Sequence, residues 1–346
     1  MKLLSDGLQA LKKHLSSVPS LAFGEVSPDE IADASPDIAL RVRYAGGDQI
    51  IFADVKSSGQ PRYARQAGDR FFRLRSQQSE IYGVFIAPYI SPASAAICVE
   101  AGIGYVDLSG NCRLAFNTIF ILRENQPNRF VMKKELASLF APRSERILRA
   151  LLSYPNQTWT TTALASAASV SSGMVSHIKK LLVDREWVQA LEGGFRLSAP
   201  FELLATWAEN YTFRKNEVFD YYSLKPPFEL EIDLGETCAE AGITYALTGF
   251  SASARLAPAV RYQRAMAYVQ GDIPSLAARL GLKSVSSGPN ITLLSPYDEG
   301  VFQGSKPVDD VLVANPIQVY LDLKNYRGRG EEAAETLLNQ VIKPQW

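Results

Sequence analysis

Between Thr160 and Leu197 the chain leaves its backbone few alternatives. Thr160 to Ala168 is short and helical in composition, and it opens on a threonine suited to cap it. Ser169-Val170-Ser171 has room only for a turn, and Ser171 or Ser172 caps a second helix running to about Asp184. The 3.6-residue period puts Val175, Ile178, Leu181 and Leu182 on one face of that helix. Ser172, Gly173, Ser176 and Lys180 fall on the other, flanked by His177 and Lys179. Trp187 to Leu191 and Phe195 to Leu197 then bracket Glu192-Gly193-Gly194, whose glycines permit the positive φ of a tight hairpin. Ser144 to Leu152, apolar at Ile147, Leu148, Leu151 and Leu152, supplies a preceding helix. Small polar residues and lysines outward over aliphatics inward suit a helix that enters the major groove of DNA.

The four elements in this order resemble a winged helix-turn-helix, in the "LA…VS…MVSHIKKL" form common in bacterial regulators. Ser172, Ser176, His177, Lys179, Lys180 and, from the hairpin, Arg196 are the DNA-binding residues this implies. Charge agrees with the placement. The 346-residue chain is neutral overall, with 36 basic and 36 acidic side chains. From Arg129 to Arg185, however, nine Lys and Arg face three acids. A basic centre between mildly acidic flanks suits phosphate contact by the middle of the chain alone.

Length predicts two or three domains. Cys98, Cys112 and Cys238 lack any Cys-x-x-Cys spacing and read as buried, reduced thiols of a cytoplasmic protein. No long apolar run or leader-like segment is present, so membrane spanning and export are not expected. The only histidines, His14 and His177, argue against a Ser-His-Asp hydrolase or a histidine-built zinc site.

The first 128 residues alternate in character. Leu3, Leu4, Leu8, Leu11 and Leu15 make residues 2 to 16 an amphipathic helix, with His14 off the stripe and expected in solvent. Asp37 to Tyr44 and Gln49 to Lys56 read as a hairpin, Pro61 to about Gln78 as an arginine-rich helix, and Tyr82 to Ala87 as a buried strand. A helix from Ser91 or Pro92 to Gly102 and strands at 105–108 and 112–122 complete an α/β domain with a mixed sheet. Sixteen residues separate Asp37 from Asp54, and Asp54 and Lys56, two apart on a strand, face the same side. Two carboxylates can hold Mg²⁺ beside a lysine that activates water for phosphodiester attack. An ion pair at a strand end is the plainer reading of Asp54 and Lys56. The pattern resembles the PD-(D/E)xK restriction-endonuclease-like superfamily. That resemblance implies Asp37 and Asp54 as metal ligands and Lys56 as the catalytic lysine, with a further acid among Glu25, Asp29 and Glu30.

Beyond Pro200, the run Phe201 to Tyr222 looks helical, and Pro226-Pro227 opens a third region. Its segments "YALTGFSASARLAP", "GPNITLLSPYDEGVF" and "NPIQVYLDLKNYRGRGEEAAETLL" resemble the AbiE-type antitoxins of type IV toxin–antitoxin systems. With the winged helix, that resemblance covers roughly the last two-thirds of the chain. It implies a winged-helix repressor of its own promoter that counters a nucleotidyltransferase-like toxin, with Arg327 and Arg329 as exposed partner-binding residues.

The expectation is a multidomain α/β protein: a restriction-endonuclease-like domain over 1–128, a winged helix with its basic connector over 129–200, and an AbiE-antitoxin-like α/β domain over 201–346. Its expected partners are double-stranded DNA, a nucleotidyltransferase-like toxin and, as a homodimer, a second copy. The expected function is DNA binding as a regulator or antitoxin without catalysis. The alternative is a Mg²⁺-dependent nuclease targeted by the winged helix.

Overall fold

The computed structural model describes residues 2–27, 35–77, 80–130, 133–326 and 328–346. The chain divides into two compact units, Met1–Lys133 with Val183–Glu186, and Lys134–Leu182 with Trp187–Trp346.

The first unit is built on a seven-stranded sheet in sequential order. Its strands are β1 (Ala22–Gly24), β2 (Ile38–Tyr44), β3 (Gly47–Val55), β4 (Ile81–Ala87), β5 (Gly104–Asp107), β6 (Cys112–Phe116) and β7 (Ile119–Arg123). The outer pairs are antiparallel, and β3, β4 and β5 run parallel. The parallel crossovers are α2 (Pro61–Gln77) and α3 (Pro92–Glu100), the latter capped by Ser91. Period-two alternation decides the two faces. Ile51, Val84 and Ile86 pack with Leu11 and Leu15 of α1 (Lys2–Leu15). Phe52 and Phe85 point the other way, into Ala64, Phe71 and Cys98 of α2 and α3. The strands therefore read as nearly continuous apolar runs, as strands covered on both faces must.

His14 departs from its expected place in solvent: it is 4% exposed. Burial, then the charges of Arg123 and Lys13, hold its imidazole below the usual range, so it is neutral, and its Nδ1 has no hydrogen-bond partner. The three cysteines are buried and unpaired, with burial pushing Cys98 up to about 12.

In the second unit, α5 (Pro142–Ser153), α6 (Thr161–Ala167) and α7 (Ser172–Asp184) are followed by the hairpin β8 (Val188–Leu191) and β9 (Gly194–Leu197). A short helix, α4 (Lys133–Leu139), precedes them. A second seven-stranded sheet has the order β13-β10-β14-β12-β11-β16-β15. Its members are β10 (Glu217–Tyr222), β11 (Thr244–Leu247), β12 (Ala265–Gln270), β13 (Lys283–Ser284), β14 (Ile291–Ser295), β15 (Lys306–Val308) and β16 (Val311–Val313). Five helices pack with it: α8 (Pro200–Asn210), α9 (Pro227–Ala241), α10 (Gly249–Leu256), α12 (Pro316–Lys324) and α13 (Gly330–Leu337), with the shorter α11 at Ile273–Arg279.

The helical run read over Phe201 to Tyr222 is corrected here. The helix stops at Asn210, a single turn follows at Phe213–Lys215, and Glu217–Tyr222 is strand. Its partner β14 lies far along the chain, with Val218 opposite Leu294. Such non-local pairing overrides the local pattern.

A buried polar network ties α5 to the helices behind the sheet. Arg149, 2% exposed, donates to Gln318, which is fully buried on α12. Gln318 in turn donates to the hydroxyls of Tyr211 and Tyr268 at 2.9 and 3.0 Å. Asp322, one turn further along α12, accepts from Tyr211, Tyr268 and Thr248. Burial raises the Asp322 carboxyl, and these donors work against that rise. Closer to the surface, Arg146 grips Asp298 in a two-point ion pair at 2.7 and 3.0 Å.

Candidate nucleic-acid interface

Local physics assembles the helix-turn-helix. Thr160 accepts from the Ala163 amide and starts α6, and Ser171 accepts from the Met174 amide and starts α7. Between them Ser169 takes φ +52°, the left-handed bend that lets two helices meet across four residues. Val175, Ile178, Leu181 and Leu182 are buried, as the period requires. The hairpin turns through Gly193 at φ +80°. Trp159 adds a bridge to Phe195, so three backbone segments pair at the hairpin rather than two.

Of the residues expected at DNA, Ser172, Ser176, His177 and Lys180 are exposed along one side of α7, and Lys179 and Arg196 are half-buried. Ser176 donates to the Ser172 carbonyl and His177 shares a hydrogen bond with Ser138 of α4 at 2.9 Å. Lys179 lies over the Phe195 ring, its Nζ 4.6 Å from the centroid. That contact spends part of its charge on holding wing to helix. Lys180 remains outward. A concave notch of about 500 Å³ adjoins the turn between the two helices and is lined by Arg143, Ser166, Ser169, Val170, Ser171 and Met174. Sequence reading missed Arg143 because it precedes the helical motif. It is exposed and forms no ion pair with the other described residues.

Asp54, Lys56 and Asp37 do come together at the ends of β2 and β3. Asp54 is 2% exposed, and its Oδ1 accepts from Lys56 at 2.7 Å and from Arg70 of α2 at 2.8 Å. Asp37 accepts from the Val55 amide at 2.8 Å, which ties the start of the hairpin to its end. Glu25 is exposed, and Asp29 and Glu30 lie outside the described residues. Among the described residues no group of three or more His, Cys, Asp or Glu side chains is placed to hold a metal ion. Mg²⁺ asks for near-octahedral oxygen ligands, and here the same Asp54 oxygen already accepts from two cationic side chains. The described carboxylates alone do not make up such a set, and no chemical step is assigned to these residues.

Arg329 is exposed and pairs through two nitrogens with Glu332, both at 2.7 Å. Arg327 lies outside the described residues.

Residues 196–343 match the family model described as "Transcriptional regulator, AbiEi antitoxin, Type IV TA system". The AbiEi-matching stretch runs from the second strand of the β8–β9 hairpin through the whole C-terminal sheet to its last helices. No curated protein and no solved structure matches the chain. No helix among the described residues is long and apolar enough to cross a membrane.

Proposed function

We propose that the protein binds double-stranded DNA through α7 and the wing, as a transcriptional regulator of the antitoxin type. One observation carries the reading: Ser172, Ser176, His177 and Lys180 stand outward on a helix whose opposite face is fully engaged in its own core. The family match over 196–343 supports a role in a type IV toxin–antitoxin system. Neutralisation of a nucleotidyltransferase-like toxin belongs to the same reading. It assigns that task to the C-terminal sheet and its helices.

Small residues at Ser172, Gly173 and Ser176 let the helix backbone approach base edges, while Lys180 and Arg143 supply phosphate contacts. The test is fluorescence anisotropy of the full chain on duplexes drawn from its own upstream region and on scrambled duplexes, across a salt series. A preference of at least about 10³ for one upstream duplex supports the regulator reading. Equal affinity for all duplexes, or none at any salt, rejects it.

A further inference from the structure

The face of the second unit formed by residues 222–240 carries exposed apolar side chains next to uncompensated acids. Leu224 is 94% exposed and Phe228 53%. Glu229, Asp233, Glu236 and Glu240 follow at helical spacing along α9, and Asp309 and Asp310 form the neighbouring hairpin turn. Lys225 pairs with Asp233 at 2.6 Å, and Arg279 approaches Glu240. Glu229, Glu236 and the two turn aspartates form no ion pair among the described residues. A cleft of about 310 Å³ opens here between Pro226, Phe228, Ala254, Tyr262 and Asp309. Its wall includes Arg255, whose side chain is 3% exposed. Arg255 donates through Nη1 to the buried Glu231 and to the Ser251 carbonyl, and its guanidinium lies over the Phe228 ring at 5.0 Å, which holds that ring at the mouth of the cleft.

The complement to this face is present in the same chain. The notch beside the helix turn offers an unpaired Arg143, the apolar Val170 and Met174, and the hydroxyls of Ser166, Ser169 and Ser171. Acid meets base, and a protruding leucine meets a concave wall that includes Val170 and Met174. DNA is repelled from the acidic face and attracted to the notch.

We propose that the Leu224–Phe228 face of one copy docks into the notch of a second copy and competes there with DNA. The contact joins two different surfaces, so it is head-to-tail, and each copy keeps one free end. It regulates the site assigned above and rests on that assignment only for the competition with DNA.

The test is sedimentation velocity on the full chain at low and high salt, with and without duplex. Wild type is expected to self-associate at low salt, about tenfold more weakly at high salt, and to dissociate when duplex saturates it. The double variant Glu229→Lys/Glu236→Lys and the single variant Arg143→Glu should each be monomeric. Mixed together they should form a 1:1 complex, because the first retains an intact notch and the second an intact acidic face. A wild type that is monomeric throughout, variants that associate like wild type, or a mixture that stays monomeric would each overturn the contact. Association that duplex leaves unchanged would overturn the competition. Failure of wild type to bind any duplex would sink the DNA reading instead, while the mixing result would still judge the contact.

Discussion

Arg149 on α5 donates through Nη2 to Oε1 of Gln318 on α12 across 2.6 Å, with both side chains shut away from solvent. The helix that precedes the helix-turn-helix pair is thereby a structural member of the C-terminal sheet's own core. Arg149 also lies over the Trp207 ring at 5.4 Å, and its Nε and Nη1 have no partner. Glu145, one turn earlier, is 1% exposed and bonds to Tyr297. Removing Arg149 empties a buried, filled site and leaves Gln318 without its donor. Arg149→Ala is expected to cost about 3–5 kcal/mol in urea unfolding. Replacing Glu145 and Arg149 together by Leu and Met should cost less than the sum of the two single changes. Strict additivity in that cycle would show that the two charges do not sense one another.

Glu145 also sets a pH dependence. Burial raises its carboxyl above the ordinary value, against the opposing effects of the Tyr297 hydrogen bond and the charges of Arg149 and Lys215. A folded-state pKa above the unfolded one means that the protonated form is favoured in the native state. The associated stability is present below the ordinary carboxylate pKa and is lost as pH rises through the raised one. Glu145→Gln, which keeps the shape and an acceptor, should therefore gain stability relative to wild type as pH climbs from about 4 to 7. Parallel urea curves with a constant difference across that range would refute the assignment.

Lys179 and Lys180 are adjacent yet differently placed, and their alanine variants should separate. Lys180→Ala is expected to lower the slope of log affinity against log salt by about one, uniformly across duplexes. Lys179→Ala should instead cost about 0.5–1 kcal/mol of stability, because its ammonium packs on Phe195. Identical salt slopes for wild type and Lys180→Ala would remove this lysine from the phosphate contacts.

Ser169 bends the chain at φ +52°, where a Cβ is unwelcome. Ser169→Gly should leave stability unchanged or improve it by up to about 1 kcal/mol, and Ser169→Val should lower it by about 1–3 kcal/mol. Thermal unfolding of the three proteins is the check, and a valine variant as stable as wild type would contradict the bend.

Gly83 in β4 sits under the Phe71 ring of α2, where an added Cβ would come within 2.4 Å of a ring atom. Gly83→Ala is expected to cost about 1–3 kcal/mol by overpacking. Pairing it with Phe71→Leu should recover part of that loss. Unchanged denaturation midpoints for Gly83→Ala would mean that α2 stands further from the sheet.

Where structure follows from neighbours in the chain, the amino-acid pattern was enough to find it. Val175, Ile178, Leu181 and Leu182 bury as their spacing demands, and Thr160 caps its helix. The hairpin ending at Asp54 was equally legible, because alternation and a Gly-Gly turn are local signals. What could not be read depends on distant partners. Nothing near His14 announces that it becomes buried, and nothing near Glu217 announces a partner strand at Ser295. Asp54 and Lys56 were found together, but Arg70, which completes their ion cluster, comes from the following helix. Its presence adds a second cation to the buried Asp54 carboxylate. Arg143 escaped notice for a related reason: the notch that gives it a role exists only once three helices have packed.

The position of β10 between β13 and β14 also sets a timetable for synthesis. On a ribosome adding roughly 5–20 residues per second, several seconds separate the emergence of Val218 from that of Leu294, its partner. During that interval Phe219 and Tyr221 belong to a strand whose two neighbours have not yet been made. Every nascent copy thus passes through a period in which this aromatic-bearing strand has neither neighbour, and growing colder lengthens that exposure.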